Sequence, residues 1–385
     1  MERKFFPLVF FLIFFLSSSI YAQTWTQVNA PGFGDANNTM ACSMAVYNND
    51  LYVGARNDST GARVWRYDDP GWTQVNANGF GDANNTRAPG MAVYNNRLYV
   101  GTLNDNTGAE VWEYDGSNWT QVNSGGFGDA NNTMARLAVY NNRLYVGTAN
   151  GNTGAEVWEY DGSNWTQVNS GGFGDPNNIN AFSMAAHNNR LYVGTRNDIT
   201  GAEVWEYDGS NWTQVNSGGF GDPNNIWAFS MAVYNNRLYV GTANGNTGAE
   251  VRRYDEPGWT QVNTDGFGDP NNIMALSMAV YNNRLYVGTR NDSTGAEVRR
   301  YDEPGWTQVN TDGFGDPNNM WALSMAAHNN RLYVGTRNTN TGAEVWEMYI
   351  PPSPIPTLSQ WGMIIFSLLL AGTAIFVLRR RLYAG

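Results

Sequence analysis

Three features of the sequence predict an all-β fold, a seven-bladed β-propeller of four-stranded antiparallel blades. The motif Trp-Thr-Gln-Val-Asn occurs seven times, and its tryptophans are spaced by 47, 47, 46, 47, 47 and 47 residues. No apolar run has helical periodicity, and Gly, Asn and Asp follow every run. A period in the forties with several strand-like runs per unit is typical of propeller blades. The seven tryptophans are Trp25, Trp72, Trp119, Trp165, Trp212, Trp259 and Trp306.

The four strands of a blade can be identified within one unit. Residues 230–234 form an apolar run, the Asn-Asn pair at 235–236 is a turn that tolerates positive φ, and residues 237–242 form a second strand. A loop then leads to a third strand at about 249–254. A tight turn connects it to a short fourth strand at 259–263. Each unit therefore supplies one blade.

The two ends of the repeated region are expected to complete the last blade together. The repeats begin with a fourth strand at 25–29 and end with a third strand at 343–348. Pairing these strands would cover the open sheet edges and close the ring without a disulfide. The chain has one cysteine, Cys42, which we expect to be a small core residue.

The first blade differs from the others in the residue that opens its second strand. Asp50 stands where six blades have arginine, and Arg66 stands where the second blade has Glu113. We predict that these positions contact each other across the hairpin, so that Asp50 with Arg66 replaces Arg97 with Glu113. The six arginines are Arg97, Arg143, Arg190, Arg237, Arg284 and Arg331.

The first 22 residues have the parts of a secretory signal peptide in the right order. Charged residues at 2–4 precede an apolar run at 5–16, and small residues lead to Ala22. We therefore expect residues 1–22 to be removed on export and the propeller to occupy residues 23–349.

The C-terminal region is expected to reach a membrane. A proline-rich linker at 350–354 precedes a segment at 355–385, whose apolar run is long enough to be a membrane-spanning helix at about 361–378. Three arginines follow at 379–381 and would lie on the cytoplasmic side of the inner membrane. Everything before the span would then lie outside the cytoplasm.

In its order of short motif, span and basic cluster, segment 355–385 resembles the IPTL-type C-terminal sorting signals of Gram-negative bacteria. The resemblance implies that an exosortase-like membrane enzyme handles the chain. It also implies a destination at the cell surface or in the extracellular matrix. An ordinary single-span anchor remains an alternative and would have the same topology.

Each unit also resembles the kelch repeat. The resemblance lies in the hairpin Val-Tyr-Asn-Asn-Arg-Leu-Tyr-Val-Gly at 233–241 and in the Tyr-Asp turn that precedes tryptophan. Kelch units carry a Gly-Gly pair after the second strand, whereas this chain has Gly-Thr, as at Gly101 and Thr102. The resemblance implies a propeller fold and carries no activity with it.

Charge and motifs exclude several classes of function. The formal net charge is −11, whereas proteins that bind nucleic acids usually present a basic face, so no nucleic-acid partner is expected. The sequence has no nucleophile elbow, phosphate-binding loop or spaced Cys and His ligand set. His187 and His328 lie at equivalent positions of two non-adjacent blades, where they are expected to be packed rather than catalytic.

Every long connection between blades contains Gly-Phe-Gly-Asp followed by Ala or Pro and Asn-Asn. Its aspartate could bind calcium, but one carboxylate per loop is short of the six to eight oxygens that calcium takes. We expect these aspartates to stabilise turns by accepting hydrogen bonds from loop amides, and no cofactor is predicted. They are Asp35, Asp82, Asp129, Asp175, Asp222, Asp269 and Asp316.

Two positions differ between blades while their neighbours do not, and they carry the predicted ligand site. One lies just before the first strand and holds Arg87, Trp227 and Trp321 in three blades. The other follows the second strand and holds arginine in four blades. Both should lie on one rim, where tryptophans could stack on sugar rings and arginines could bind acidic groups. The alternative is loop drift, with the tryptophans plugging the channel. The four arginines are Arg56, Arg196, Arg290 and Arg337.

Two functions remain open. The first is an exported propeller that acts as a binding or structural module at the cell surface or in the matrix, with a surface polysaccharide or a protein as ligand. The alternative is a carbohydrate-active enzyme, a hydrolase or lyase, on the propeller scaffold. An enzyme would have two non-equivalent carboxylates within catalytic reach in a closed pocket. No catalytic residue is predicted.

Overall fold

The computed structural model describes residues 24–350 and 358–383. The predicted signal peptide at 1–22 and most of the predicted linker at 350–354 lie outside these ranges. Strands β1 to β28 have the following bounds: β1 Trp25–Gln27, β2 Met40–Tyr47, β3 Asp50–Arg56, β4 Arg63–Asp68, β5 Gly71–Gln74, β6 Arg87–Tyr94, β7 Arg97–Leu103, β8 Val111–Tyr114, β9 Trp119–Gln121, β10 Ala135–Tyr140, β11 Arg143–Thr148, β12 Val157–Tyr160, β13 Trp165–Gln167, β14 Asn180–His187, β15 Arg190–Arg196, β16 Val204–Tyr207, β17 Trp212–Gln214, β18 Trp227–Tyr234, β19 Arg237–Ala243, β20 Val251–Asp255, β21 Gly258–Gln261, β22 Met274–Tyr281, β23 Arg284–Arg290, β24 Val298–Asp302, β25 Gly305–Gln308, β26 Trp321–His328, β27 Arg331–Arg337 and β28 Val345–Tyr349.

Consecutive strands pair antiparallel in groups of four, and each group is one blade. In the fifth blade, β18 pairs with β19, β19 with β20 and β20 with β21. Strands β2 to β5 form the first blade, and later blades follow in chain order. The four-stranded antiparallel blades that the repeat predicts are confirmed. A short 3-10 turn precedes the first strand of each blade, at Pro31–Gly34, Asn78–Gly81, Gly125–Gly128, Gly171–Gly174, Gly218–Gly221, Asp265–Gly268 and Asp312–Gly315.

The first strand of each blade is longer than the sequence predicts. In the fifth blade it begins at Trp227 and contains a bulge between Ala228 and Ser230, where the pairing register shifts. The predicted start at residue 230 is therefore wrong. A bulge interrupts the two-residue alternation on which the prediction rests, because it adds one residue on one strand only.

The N-terminal strand completes the last blade. Strand β1 pairs antiparallel with β28, with Trp25 opposite Met348 and Gln27 opposite Trp346. This pairing of the two ends is the one that the sequence predicts. Strand β28 also pairs with β27, so β1 occupies the fourth-strand position of the seventh blade.

Two hydrogen bonds recur between neighbouring blades. The indole of each fourth-strand tryptophan donates to a valine carbonyl of the preceding blade, as Trp119 Nε1 does to Val75 O at 2.8 Å. Trp72 makes the same bond to Val28 O at 2.8 Å and so links the first blade to the seventh. Ser324 Oγ, in the seventh blade, donates to Ala41 O of the first at 2.8 Å.

The apolar core lies between adjacent blades. In one cluster, Tyr52 and Val64 of the first blade pack against Leu98, Val100 and Tyr114 of the second. The blades approach so closely that a Cβ on Gly101 would lie 2.5 Å from the carbonyl oxygen of Ala135. Only glycine fits there, which explains the Gly-Thr pair at this end of the second strand.

The C-terminal region belongs to a second unit, and its described residues form the helix α1 (Leu358–Tyr383). The sequence places a membrane-spanning helix at about 361–378, and the structure is helical there. None of the helices in the described ranges has the length and apolar character that crossing a membrane requires. The helix is thus confirmed, whereas its role as a span is not.

Candidate functional site

The two variable positions lie on one ring, as predicted. Trp227, the first residue of β18, pairs with Ala243 at the end of its own blade's second strand and with Arg196 at the end of the preceding blade's second strand. Trp321 pairs in the same way with Arg337 and Arg290. We call these residues the channel-mouth ring. In order around the ring they are Met40, Arg56, Arg87, Leu103, Met134, Ala149, Asn180, Arg196, Trp227, Ala243, Met274, Arg290, Trp321 and Arg337.

Below the ring, bulged residues fill the central channel. The register shifts skip Cys42, Phe229 and Leu323, and the same shift occurs at Phe182 and Leu276. These five residues come from five blades yet pack in one cluster, which places them at the axis where the blades converge. We call this cluster the channel floor. Cys42 is buried there, as expected of a core residue.

The third blade has no bulge, and an arginine takes part in the floor instead. Its β10 pairs with β11 without a register shift, with Arg136 opposite Gly147. This blade holds the one 46-residue spacing, and the missing residue is the bulged one. Arg136 therefore occupies the position of Ser43 and Ser324, and its guanidinium extends into the channel, where Cζ lies 5.4 Å from the ring centroid of Phe182.

The ring tryptophans are covered by arginines. Arg290 and Arg337 flank Trp321 on neighbouring strands, and their Cζ atoms lie 4.8 Å and 4.4 Å from the centroid of its indole. Arg196 Cζ lies 4.9 Å from the centroid of Trp227. These distances are typical of cation–π contacts, so each indole holds guanidinium groups in place at the ring. Trp321 Nε1 also donates to Asp292 at 3.1 Å.

The ring arginines fall into two classes. Arg56, Arg196 and Arg290 each form an ion pair with the aspartate two residues later, as Arg196 does with Asp198 at 2.7 Å. Arg87 and Arg337 form no ion pair within the described ranges, and the Nε of each is buried without a hydrogen bond. Burial lowers the pKa of Arg337 and Arg87, and Arg56 lowers both further.

The aspartates of the long connections, for which calcium binding was the alternative, are used in turns. Asp129 Oδ1 accepts hydrogen bonds from the backbone and side-chain nitrogens of Asn131 at 3.0 Å and 2.8 Å, and Oδ2 accepts one from Asn150 at 3.1 Å. The bond from the Asn131 backbone lowers the pKa of Asp129. Among the described residues, no three His, Cys, Asp or Glu side chains lie close enough together to hold a metal ion. The arrangement fits the turn-forming role.

A surface groove away from the ring contains one carboxylate that has structural partners. A groove of about 600 Å³ between the fourth and fifth blades is lined by Glu206, Glu256 and Trp259, among others. Glu206 is held by Arg190 at 2.7 Å and by the Tyr192 hydroxyl at 2.8 Å. His187 and His328 end the first strands of their blades, away from the ring.

Sequence reasoning identified the seven ring residues proposed for ligand binding and missed Arg136. The signal for it was present in the single 46-residue spacing, because one residue less in a bulged strand changes which side chain reaches the axis.

Comparison with known proteins supports the fold and the nature of the tail. Residues 353–381 match the IPTL-CTERM motif. The structure of YjhT, a kelch-type propeller, matches with a TM-score of 0.50 at 13% identity, covering 73% of this chain and 98% of its own. A chain of the crystal structure of the mitotic checkpoint complex matches with a TM-score of 0.58 at 14% identity, covering 89% of this chain and 100% of its own. No curated protein matches the sequence significantly.

At these identities the two structures show the fold alone. The chain combines four-stranded propeller blades with an IPTL-type sorting tail. The motif implies an exported, surface-sorted protein that an exosortase-like enzyme processes.

Proposed function

We propose that the propeller is a binding module whose channel-mouth ring binds an acidic polysaccharide at the cell surface or in the matrix. The observation that carries this proposal is the concentration of arginine at the ring of a chain with net charge −11. Arg290, Arg56 and Arg87 lie close enough to Arg337 to lower its pKa.

The ring suits an extended anionic chain better than a neutral one. Arg87 and Arg337 have buried Nε groups without acceptors, and a guanidinium can donate two parallel hydrogen bonds to a carboxylate or sulfate. The cation–π contacts hold Arg290, Arg337 and Arg196 against the indoles, which reduces the conformational entropy lost on binding. The tryptophans then act mainly by positioning the arginines. Any edge of an indole ring that the arginines leave uncovered can contact a sugar.

A binding module is favoured over an enzyme because three of the carboxylates near the ring are already paired. Asp58, Asp198 and Asp292 each form an ion pair with an arginine of the ring. A general acid or base must be free to exchange a proton with substrate, and an aspartate held beside a guanidinium is a poor proton donor. The exported location that the sorting motif implies would bring the ring into contact with surface glycans.

The test is binding of the purified full chain to alginate, a polyuronate, with neutral dextran as the comparison. We expect alginate to bind, dextran not to bind, and alginate affinity to fall as salt is raised. Arg337→Gln should weaken binding by about tenfold or more, because it removes a charge-assisted contact. The matched control is Arg284→Gln, an exposed arginine of the opposite rim. Equal binding of both variants, or equal binding of both polymers, would refute the proposal.

A further inference from the structure

The guanidinium of Arg136 lies at the channel floor with few compensating contacts. Its Nη1 donates to the carbonyl oxygen of Pro89 at 2.8 Å, and its Cζ lies 5.4 Å and 5.6 Å from the ring centroids of Phe182 and Phe229. A guanidinium has five N–H groups, and within the described ranges this is the single hydrogen bond that Arg136 makes. Its Nε is buried without an acceptor.

Among the described residues, no carboxylate offsets this charge. The groups that act on Arg136 electrostatically are Cys42 and a second arginine, Arg87. Burial lowers the pKa of Arg136 to about 10, so the group still carries its charge at neutral pH. Arg87 also has a buried Nε that lacks a partner. Asp58 and Asp105 act electrostatically on Arg87, so the uncompensated charge is that of Arg136. Burying it beside a second guanidinium is unfavourable, and an anion placed between the two groups would offset that penalty.

We infer that the channel holds one oxyanion, a carboxylate or a sulfate group, between Arg136 and Arg87. This inference deepens the proposed function and rests on it, since the oxyanion would be an acidic group of the glycan bound at the ring. The planar fork of Arg136 matches two oxygens of such a group. Phe182, Phe229 and Cys42 make the surroundings apolar, which strengthens the attraction by lowering the local dielectric constant.

The deletion in the third blade explains why this blade carries the site. In the other blades the bulged residue is short or apolar, and the serine that follows it in five of them bonds to the next blade, as Ser43 does to Ala88 at 2.7 Å. In the third blade the deleted residue leaves Arg136 in the serine position, where a long side chain reaches the axis. The site therefore occurs in one blade and does not follow the sevenfold repeat. Each propeller can then bind one acidic group there.

The experiment measures thermal unfolding of the full chain with sodium glucuronate or sodium sulfate at constant ionic strength, against glucose and sodium chloride. We expect either or both anions to raise Tm by roughly 2–5 °C at concentrations well above Kd. Arg136→Leu should abolish the rise. Leucine removes the charge and is apolar like the Phe182 and Phe229 rings that Arg136 contacts, so this variant suits its surroundings. Arg97→Gln, on the opposite rim, is the matched control and should keep the rise.

Sulfate stabilises folded proteins generally because it is excluded from their surface, so the quantity that matters is the difference between wild type and Arg136→Leu. A rise with glucuronate alone would identify a carboxylate site, and a rise with sulfate alone a sulfate site. The inference is overturned if neither anion acts on the wild type, or if both proteins respond equally. Should Arg136→Leu fail to fold, Arg136→Met takes its place.

The same variants separate this inference from the proposed function. If glucuronate acts through Arg136 but alginate does not bind, the oxyanion site stands and the polysaccharide function is wrong. If alginate binds wild type and Arg136→Leu equally, the polysaccharide function stands and the oxyanion site is wrong.

Discussion

Arginines occur at both ends of the blades, and their ion pairing differs between the two ends. At the hairpin rim, each arginine that opens a second strand has a carboxylate partner, as Arg97 has in Glu113 at 3.1 Å and Arg331 in Glu347 at 2.7 Å. At the channel, Arg87, Arg136 and Arg337 have none among the described residues. The hairpin rim neutralises its arginines within each blade, whereas the channel end neutralises Arg56, Arg196 and Arg290 and leaves Arg87, Arg136 and Arg337 without an ion pair.

This contrast separates structural charge from charge available for binding. The hairpin arginines are solvent-exposed and paired, so each contributes little to stability and nothing to recognition. Arg87, Arg136 and Arg337 are partly buried and lack an ion pair among the described residues, so the folded protein contains them at a disadvantage that a ligand can remove. Unpaired buried charge, rather than arginine content, is therefore the feature that marks the candidate site.

The strongest test of this contrast is a pair of double variants. Arg87→Gln with Arg337→Gln should weaken alginate binding by about 100-fold, because two charge-assisted contacts are lost. Arg97→Gln with Arg284→Gln removes the same formal charge from the hairpin rim and should change affinity by less than about threefold. Isothermal titration calorimetry of all three proteins measures both effects. Equal losses in the two double variants would show that net charge, and not the ring, governs binding.

A second test compares the stability effect of single arginines. Arg136→Leu should leave the free energy of unfolding unchanged or raise it by about 1–2 kcal/mol in the absence of anions, because it replaces an uncompensated buried charge by an apolar residue. Chemical denaturation of the full chain measures this change. A loss of more than about 2 kcal/mol would instead show that the Pro89 hydrogen bond and the two aromatic contacts make Arg136 a structural part of the floor.

A third test addresses the paired arginines. Arg331→Gln should lower the free energy of unfolding by about 0.5–1 kcal/mol, since its partner Glu347 is mostly buried while Arg331 itself is about one-third exposed, with 34% of its side chain accessible. The loss should shrink in high salt, which screens exposed charges. Suppose instead that Arg331→Gln lowered the free energy of unfolding by several kcal/mol more than Arg136→Leu at every salt concentration. The hairpin pairs would then be major stabilising elements, and the contrast between paired and unpaired arginines would not hold.

The repeat made most of the fold predictable, because seven copies report the same strand and turn pattern. The pairing of β1 with β28 also followed from sequence, since a leading fourth strand lacks a third strand beside it and a trailing third strand lacks a fourth. The bulges could not be predicted from the sequence, because a bulge in a run of small and apolar residues changes the pairing register without a sequence signal. This is why the strand beginning at Trp227 was predicted to begin three residues later.

The candidate site was predicted in part for a related reason. Differences between copies identified Trp321 and Arg337, which are neighbours along one hairpin. That Arg290 also covers Trp321 depends on pairing between blades, which one repeat alone does not reveal. Arg136 lies outside both variable positions, and its place at the axis depends on a deletion whose effect is three-dimensional.

The smallest expected effect concerns the swapped pair of the first blade. Arg66 Nε lies 4.0 Å from Asp50 and 2.8 Å from Asp68, so the predicted contact forms but is the longer of two. The double variant Asp50→Arg with Arg66→Glu recreates the arrangement of the second blade, where Tyr99 donates to Glu113 at 2.6 Å. Tyr52, the equivalent tyrosine, would gain that acceptor, so we expect the free energy of unfolding to rise by about 0.5 kcal/mol. Asp50→Arg alone should lower it by a similar amount, because two arginines would then be neighbours. A double-mutant cycle by chemical denaturation gives the coupling, and a double variant less stable than both single variants would mean that the two positions do not act as a pair.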